Sequence, residues 1–198
     1  MTKLKALSVL QCREYVLEQH GPEGIERVKA AMEPSERDVV YSPFLLASDW
    51  LEVAHAVEHA DGYDSAFPRS RAWEASDVMI ATLVVKHWGG LYKPLFAGAA
   101  TPMAVLEKSS RLWNRMYDTG ESQMIVVSST SVVKKLMNCP DMPRHHEHLA
   151  TPYWEQLLRQ VGATAVSAKH TKCVALGAKW CETLLEWREP RDALRPGG

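Results

Sequence analysis

The stretch from Ala163 to Trp187 constrains this chain most. It holds two β-patterned arms joined around Gly177, with His170, Cys173 and Cys181 crowded between their centres. The first arm, Ala163 to Cys173, carries Val166 amid small and polar residues. The second, Trp180 to Trp187, carries Leu184, Leu185 and Trp187, and Pro190 ends the pattern. Ala175-Leu176-Gly177-Ala178 can turn because Gly177 accepts a positive φ. A turn there sets Cys173 near Cys181 across the ladder, where facing Cα atoms lie roughly 4.5–5.5 Å apart. Two thiolates at that spacing suit Zn²⁺ at about 2.3 Å each, with His170 as a candidate third ligand at about 2.0–2.1 Å. In a regular strand His170 and Cys173 point to opposite faces, so both reach one ion only through a bulge or the start of the turn.

The rest of the chain reads in order as a helical half followed by a small sheet. Leu4, Leu7, Leu10, Val16 and Leu17 recur at helical spacing from Lys3 to His20, where Gly21-Pro22 stops the run; Ile25, Val28 and Met32 mark a second helix. Ser48 or Asp49 can cap a helix from Trp50 through Val57 that carries His55 and His59. That pair lacks the Glu of His-Glu-x-x-His and reads as ordinary surface or core histidines. Asp61-Gly62-Tyr63 is expected to break this helix, and the run to Pro68 to form a surface turn. Arg69 to Trp88 is a long apolar helix ended by Gly89-Gly90, with His87 complementing its dipole. Leu91 to Ala100 mixes bulky and small residues suited to a cavity wall. Thr101-Pro102 caps a helix from Met103 to Tyr117. Strands follow at Gln123–Val127 and Ser131–Met137, then a loop from Asn138 to His148, a helix from Tyr153 to Val161 opened by Thr151-Pro152, and the hairpin. The fold class is α+β: a helical N-terminal half packed on a C-terminal antiparallel sheet of ββαββ order. The expected organisation is one domain over 1–190, helical over 1–120 and α/β over 121–190, with a flexible tail at 191–198.

Composition narrows the function. With 46% hydrophobic and 24% charged residues the chain suits a globular protein. Lys+Arg 23 against Asp+Glu 24 leaves a net charge of −1 and no basic field for nucleic acid. No stretch approaches the roughly 20 apolar residues of a membrane span, and the apolar run after Met1 is too short for a signal peptide. A cytoplasmic home is expected. There the four cysteines favour metal binding or burial over disulfides, and Cys12, set in a helical pattern, reads as buried. P-loop, GxGxxG and GxSxG signatures are absent.

The run HTKCVALGAKWCETLLEW, with Cys-x7-Cys, a central Gly and a closing Trp, resembles the end of the 4-vinyl-reductase-type small-molecule-binding domain. That domain also occurs in aromatic-sensing transcription activators, and its fold is similar to those of haem-NO-binding domains and of certain vesicle-trafficking subunits. The whole chain, from EYVLEQHGPEGIERVKAAM through RLWNRMYDTG to the hairpin, looks like a myxobacterial paralogue family of unknown function and similar length. The resemblance implies Cys173 and Cys181 as zinc ligands, with His170 at the position of an acidic ligand. It implies a further ligand from about Arg144 to His148, where this chain offers His145, His146 and His148, or Cys139 a little upstream. Tyr63-Asp64-Ser65-Ala66-Phe67 looks like most of a Tyr-x-Ser-x-Arg haem-propionate clamp but lacks its Arg and lies early in the chain, so no haem is expected.

Together these features favour a non-enzymatic sensor or regulatory module for a small hydrophobic or aromatic ligand, with a structural zinc, a homodimeric tendency and a protein partner that supplies the output. Seven Trp and eight Met could line its pocket, and Trp73, Trp88 and Trp113 are the candidate wall residues. One alternative is a protein–protein adaptor without ligand. Another is a thiol enzyme using Cys173 or Cys181 with His170 as base.

Overall fold

In a computed structural model of the chain, residues 1–88, 98–99, 101–139, 141–143 and 146–189 are described. The expectations for His145, for nearly all of the wall before Thr101, for the tail, and for the His87 and Trp88 side chains lie outside them. A short antiparallel ribbon, β1 (Lys3–Lys5) with β2 (Trp50–Glu52), anchors the N-terminal half. Around it lie α1 (Leu7–Ala31), α2 (Pro34–Val40), α3 (Val53–Ala66) and α4 (Glu74–Trp88). Then come α5 (Pro102–Met116), β3 (Glu121–Ser128), β4 (Ser131–Met137), α6 (Glu147–Gln160), β5 (Thr164–Lys172) and β6 (Cys181–Arg188). The last four strands form one antiparallel sheet of order β3-β4-β6-β5. This is the expected α+β arrangement, with the helical half first and ββαββ behind it.

Five local readings change. The helix expected from Arg69 begins only at Glu74, with Trp73 before it at a positive φ of 65°. Lys3–Lys5 and Trp50–Glu52 are strand rather than helix because their backbone groups find distant partners: the Val53 N–H donates to the Thr2 carbonyl at 3.0 Å and the Lys3 N–H to Asp118 at 2.8 Å. Gly21-Pro22 kinks α1 instead of stopping it, Gly21 alone leaving helical dihedrals at φ 67° and ψ −171°. Gly62 does not end α3 but lets it lie against α1. A β-carbon there would sit 2.6 Å from Met32 Cγ and 3.4 Å from the Val28 carbonyl oxygen, so only glycine fits the crossing. The run Tyr63–Ala66 is accordingly the last turn of α3, with Tyr63 buried, not a surface turn. Finally, α6 begins at Glu147 and carries Pro152 inside it. Thr151 does not cap: its hydroxyl donates back to the Glu147 carbonyl at 2.7 Å. Packing of Leu149 against the main core extends the helix past the proline. By contrast Thr101 does cap α5, its hydroxyl accepting from the Ala104 N–H at 3.2 Å.

The sheet turns one face to the helices. On β4 that face carries Val132, Lys134 and Leu136, and on β6 Cys181, Thr183, Leu185 and Trp187. Leu106 of α5 and Leu158 of α6 pack on Val132, Leu185 and Trp187 to fill one end. The other end faces α1, α3 and α4 and is not filled.

Candidate ligand cavity and metal centre

The β5–β6 hairpin positions the sulfur ligands. A short 3₁₀ turn, Val174–Leu176, ends at Gly177 with φ 88°, a left-handed conformation that favours glycine. The Ala178 N–H donates to the Cys173 carbonyl at 3.0 Å and the Val174 N–H to Cys181 Sγ at 3.4 Å, which holds both cysteines inward. The register slips between His170 and Lys172, so the ladder contains the irregularity that lets His170 and Cys173 share one side.

His146 enters from the opposite direction, at the cap of α6. Its imidazole and the thiols of Cys173 and Cys181 place ligand atoms within 4.8 Å of one another, and all three residues are buried. The Pro143 carbonyl can only accept, so His146 Nδ1, 2.8 Å away, carries the proton. Nε2 is left as a lone pair, the state a metal ligand requires. Burial lowers the pKa of His146 below the ordinary histidine value, and so favours the neutral ring. Burial, and then the neighbouring Cys173, raise that of the Cys181 thiol, whose proton a metal ion would have to displace.

His170 lies against His146 edge to face, ring centroids 5.0 Å apart. Both its ring nitrogens are buried, with the Lys172 backbone beside the ring. Burial lowers its pKa too. A buried imidazole beside a His/Cys/Cys cluster is placed to serve as its fourth ligand. Cys139 lies near Cys181 but outside the converging three: its Sγ approaches the Met137 carbonyl at 3.5 Å and the Thr119 carbonyl at 3.9 Å, and burial pushes the thiol up to about 11. Of the five residues singled out as ligands, three therefore converge, His170 adjoins them, and Cys139 stays outside them.

The unfilled end of the sheet borders a partly open cavity of about 230 Å³. Its wall is mostly apolar: Val9 and Cys12 of α1, Ala56 of α3, Leu83 of α4, Leu112 and Trp113 of α5, Leu149 and Trp154 of α6, and Leu136 of β4. His146 and Cys181 also line it, so the metal cluster forms part of the same wall. Trp113, a candidate wall residue, borders the cavity, its indole N–H donating to the Thr119 carbonyl at 2.9 Å. Trp73 does not line the cavity and stacks on His148 with centroids 4.4 Å apart.

Three wall residues escaped sequence reasoning. His59 is buried, with Nε2 3.2 Å from the Tyr41 hydroxyl and Nδ1 without a partner, and burial brings its pKa down to about 4. Trp154 offers its ring face. Lys134, only 5% exposed, extends into this apolar surroundings from β4; its ammonium donates to the Ser110 hydroxyl and lies 4.8 Å from the Trp154 ring centroid. Burial lowers its pKa to about 8. Alternation held no signal for Lys134, because Val133, Lys135 and Met137 repeat the pattern of Val132, Lys134 and Leu136 in the opposite register.

A helical half packed on a C-terminal antiparallel sheet is shared with solved haem-NO-binding (H-NOX) proteins. The chain has an H-NOX-like fold. An Fe(II) unliganded H-NOX protein from K. algicida superposes with a TM-score of 0.66 at 9% identity, covering 94% of this chain and 97% of that one. The Fe(II)NO state of an H-NOX protein from S. oneidensis gives 0.68 at 9% identity, covering 93% and 99%. An oxygen-binding H-NOX domain related to soluble guanylate cyclases gives 0.63 at 10% identity, covering 94% and 96%. No protein-family model matches the chain, and no curated protein matches it. Among the described residues no helix is long and apolar enough to cross a membrane.

Proposed function

We propose that this protein is a non-enzymatic small-molecule sensor or regulatory module that holds a compact hydrophobic or aromatic ligand between its helical half and its sheet. The cavity of about 230 Å³ carries this reading. It is smaller than the roughly 300–1,000 Å³ of drug-sized sites, yet ample for a single ring, since an apolar cavity of about 150 Å³ takes up benzene. Zinc held by His146, Cys173 and Cys181, with His170 placed to complete a Cys₂His₂ set, would be structural and would tie α6 to the hairpin across the cavity wall. The likeness of the hairpin to 4-vinyl-reductase-type domains supports the same assignment. Output passes to a protein partner.

In this reading haem is not the ligand, although H-NOX neighbours are haem proteins. Haem iron takes His, Cys, Met or Tyr axial ligands. On this wall His59 is engaged by Tyr41 and His146 faces two thiols, while Cys12, Met116, Met142, Tyr117 and Tyr153 also line it, so it is the altered clamp that argues against haem. Tyr63, first residue of the clamp-like run, bonds His20 at 3.1 Å, and Phe67, in place of the clamp's Arg, stacks on His20 at 3.7 Å. Native mass spectrometry of protein purified without added metal tests the whole proposal. One zinc plus an organic mass, with no Soret band on haem titration, is expected. A stoichiometric Soret-absorbing complex would refute the haem-free reading, and a bare mass that takes up no small apolar molecule would refute the sensor.

A further inference from the structure

The cavity wall is electrically lopsided. Among the described residues it contains Lys134, Lys135, His59 and His146 but no Asp or Glu. The two lysines are not equivalent. Lys135 points to the other face of β4, its ammonium 4.5 Å from the Trp180 ring centroid. Lys134 occupies an inward position between Val132 and Leu136, where a leucine would complete the core. It forms one cross-strand row with Met124 of β3, Thr183 of β6 and, beyond it, His170 of β5.

An ammonium has three hydrogens to donate. Among the described residues that of Lys134 finds one acceptor, the neutral Ser110 hydroxyl, and the Trp154 face. No ion pair joins it to a carboxylate among the described residues. Buried charges are ordinarily paired, because an unpaired one is costly to desolvate. We propose that the missing partner is the ligand: Lys134 anchors the anionic head of a small apolar monoanion, a monocyclic aromatic carboxylate by size, whose ring lies against Leu112, Trp113 and Trp154. This deepens the proposed function and rests on it. The chemistry follows directly. The apolar wall takes the ring, the lysine supplies charge-assisted hydrogen bonds to the carboxylate, and Trp154 holds the ammonium in place by its ring face.

The test compares phenylacetate with phenylacetamide, nearly isosteric and different in charge, by isothermal titration calorimetry. Wild type should bind the carboxylate at least tenfold more tightly. Lys134→Met should abolish that preference while still binding the amide, and Lys134→Arg should keep part of it. Folding of each variant is checked by circular dichroism, and the wild-type preference can be read even if Lys134→Met does not fold. If wild type binds both compounds equally, the anionic-ligand inference fails and the cavity reading stands. A carboxylate preference that survives in Lys134→Met places the anion elsewhere, on zinc for instance, and also overturns it. If wild type binds neither compound, the anchor is refuted, and failure of neutral rings such as toluene as well would remove the cavity reading with it.

Discussion

The metal centre can be tested through stability. Zinc that binds the folded chain and not the unfolded one stabilises it by RT ln(1 + [Zn]/Kd), about 2.7 kcal/mol at a free concentration one hundred times Kd. In a domain of about 150–250 residues each kcal/mol moves Tm by about 2–4 °C. Zinc should therefore raise the Tm of wild type by about 5–11 °C. In the structure the gain depends on two sulfurs that a short turn holds inward and on a histidine from a separate element. Cys173→Ser/Cys181→Ser should abolish the shift, and purified protein should lose its zinc. His55→Ala should change neither, because His55 is paired with Glu36 and is not one of the three converging residues. The assay is differential scanning fluorimetry with chelator or buffered zinc, alongside metal analysis. Both thiols must lose protons on binding, so the zinc-dependent shift should shrink as pH falls, Cys181 starting from a raised pKa. An equal zinc-dependent shift in the double variant would refute the assignment.

His170→Ala should weaken zinc binding at least tenfold, measured by competition with a chromophoric chelator, yet change metal-free stability little. Lost ring packing there is offset by relief of poorly satisfied buried ring nitrogens, worth about 1–3 kcal/mol; unchanged zinc affinity would remove His170 from the ligand set. Lys134 should make stability rise with alkaline pH. Its pKa falls from 10.5 to about 8 on folding, so between those values the unfolded chain binds more protons and the native state gains as pH increases. The drop corresponds to about 3 kcal/mol. Urea denaturation at pH 7.5 and 10 should show a gain of that order in wild type relative to Lys134→Met, and parallel pH profiles would contradict it. Gly62→Ala, which drives a methyl group to 2.6 Å from Met32 Cγ, should cost about 1–3 kcal/mol, part of which Met32→Ala in the same chain recovers. Additive losses would mean that the two residues do not meet.

Local chemistry made parts of this molecule legible. The Thr101-Pro102 cap, the strand Ser131–Met137 and the hairpin around Gly177 each depend on residues adjacent in sequence, and each forms close to its expected bounds. The ribbon of Lys3–Lys5 with Trp50–Glu52 was not legible, because its hydrogen bonds join segments that periodicity treats separately. Gly62 shows the same limit differently: a glycine that stops a helix and one that lets two helices touch look alike until Met32 is placed beside it.

The site divides along the same line. Cys173 and Cys181 meet because a turn of a few residues brings them together, so their proximity follows from local spacing. Choosing among the nearby histidines required tertiary information: a Pro143 carbonyl to hold the proton of His146 and burial to keep the ring neutral. Lys134 was harder still. Beside Lys135 it resembles an ordinary surface charge, and only the pairing of β4 with β6 turns one of the two inward, into a row with Thr183 and His170. That row sets the two halves of the site side by side. A bound anion at Lys134 and an ion at the hairpin would act on neighbouring positions of β6, Thr183 and Cys181, so ligand binding can alter the packing of β6 without any hinge. Zinc removal should therefore weaken phenylacetate binding, and by linkage phenylacetate should tighten zinc by the same factor. Measuring each affinity with and without the other ligand closes that cycle; factors of one would show two independent sites sharing only a wall.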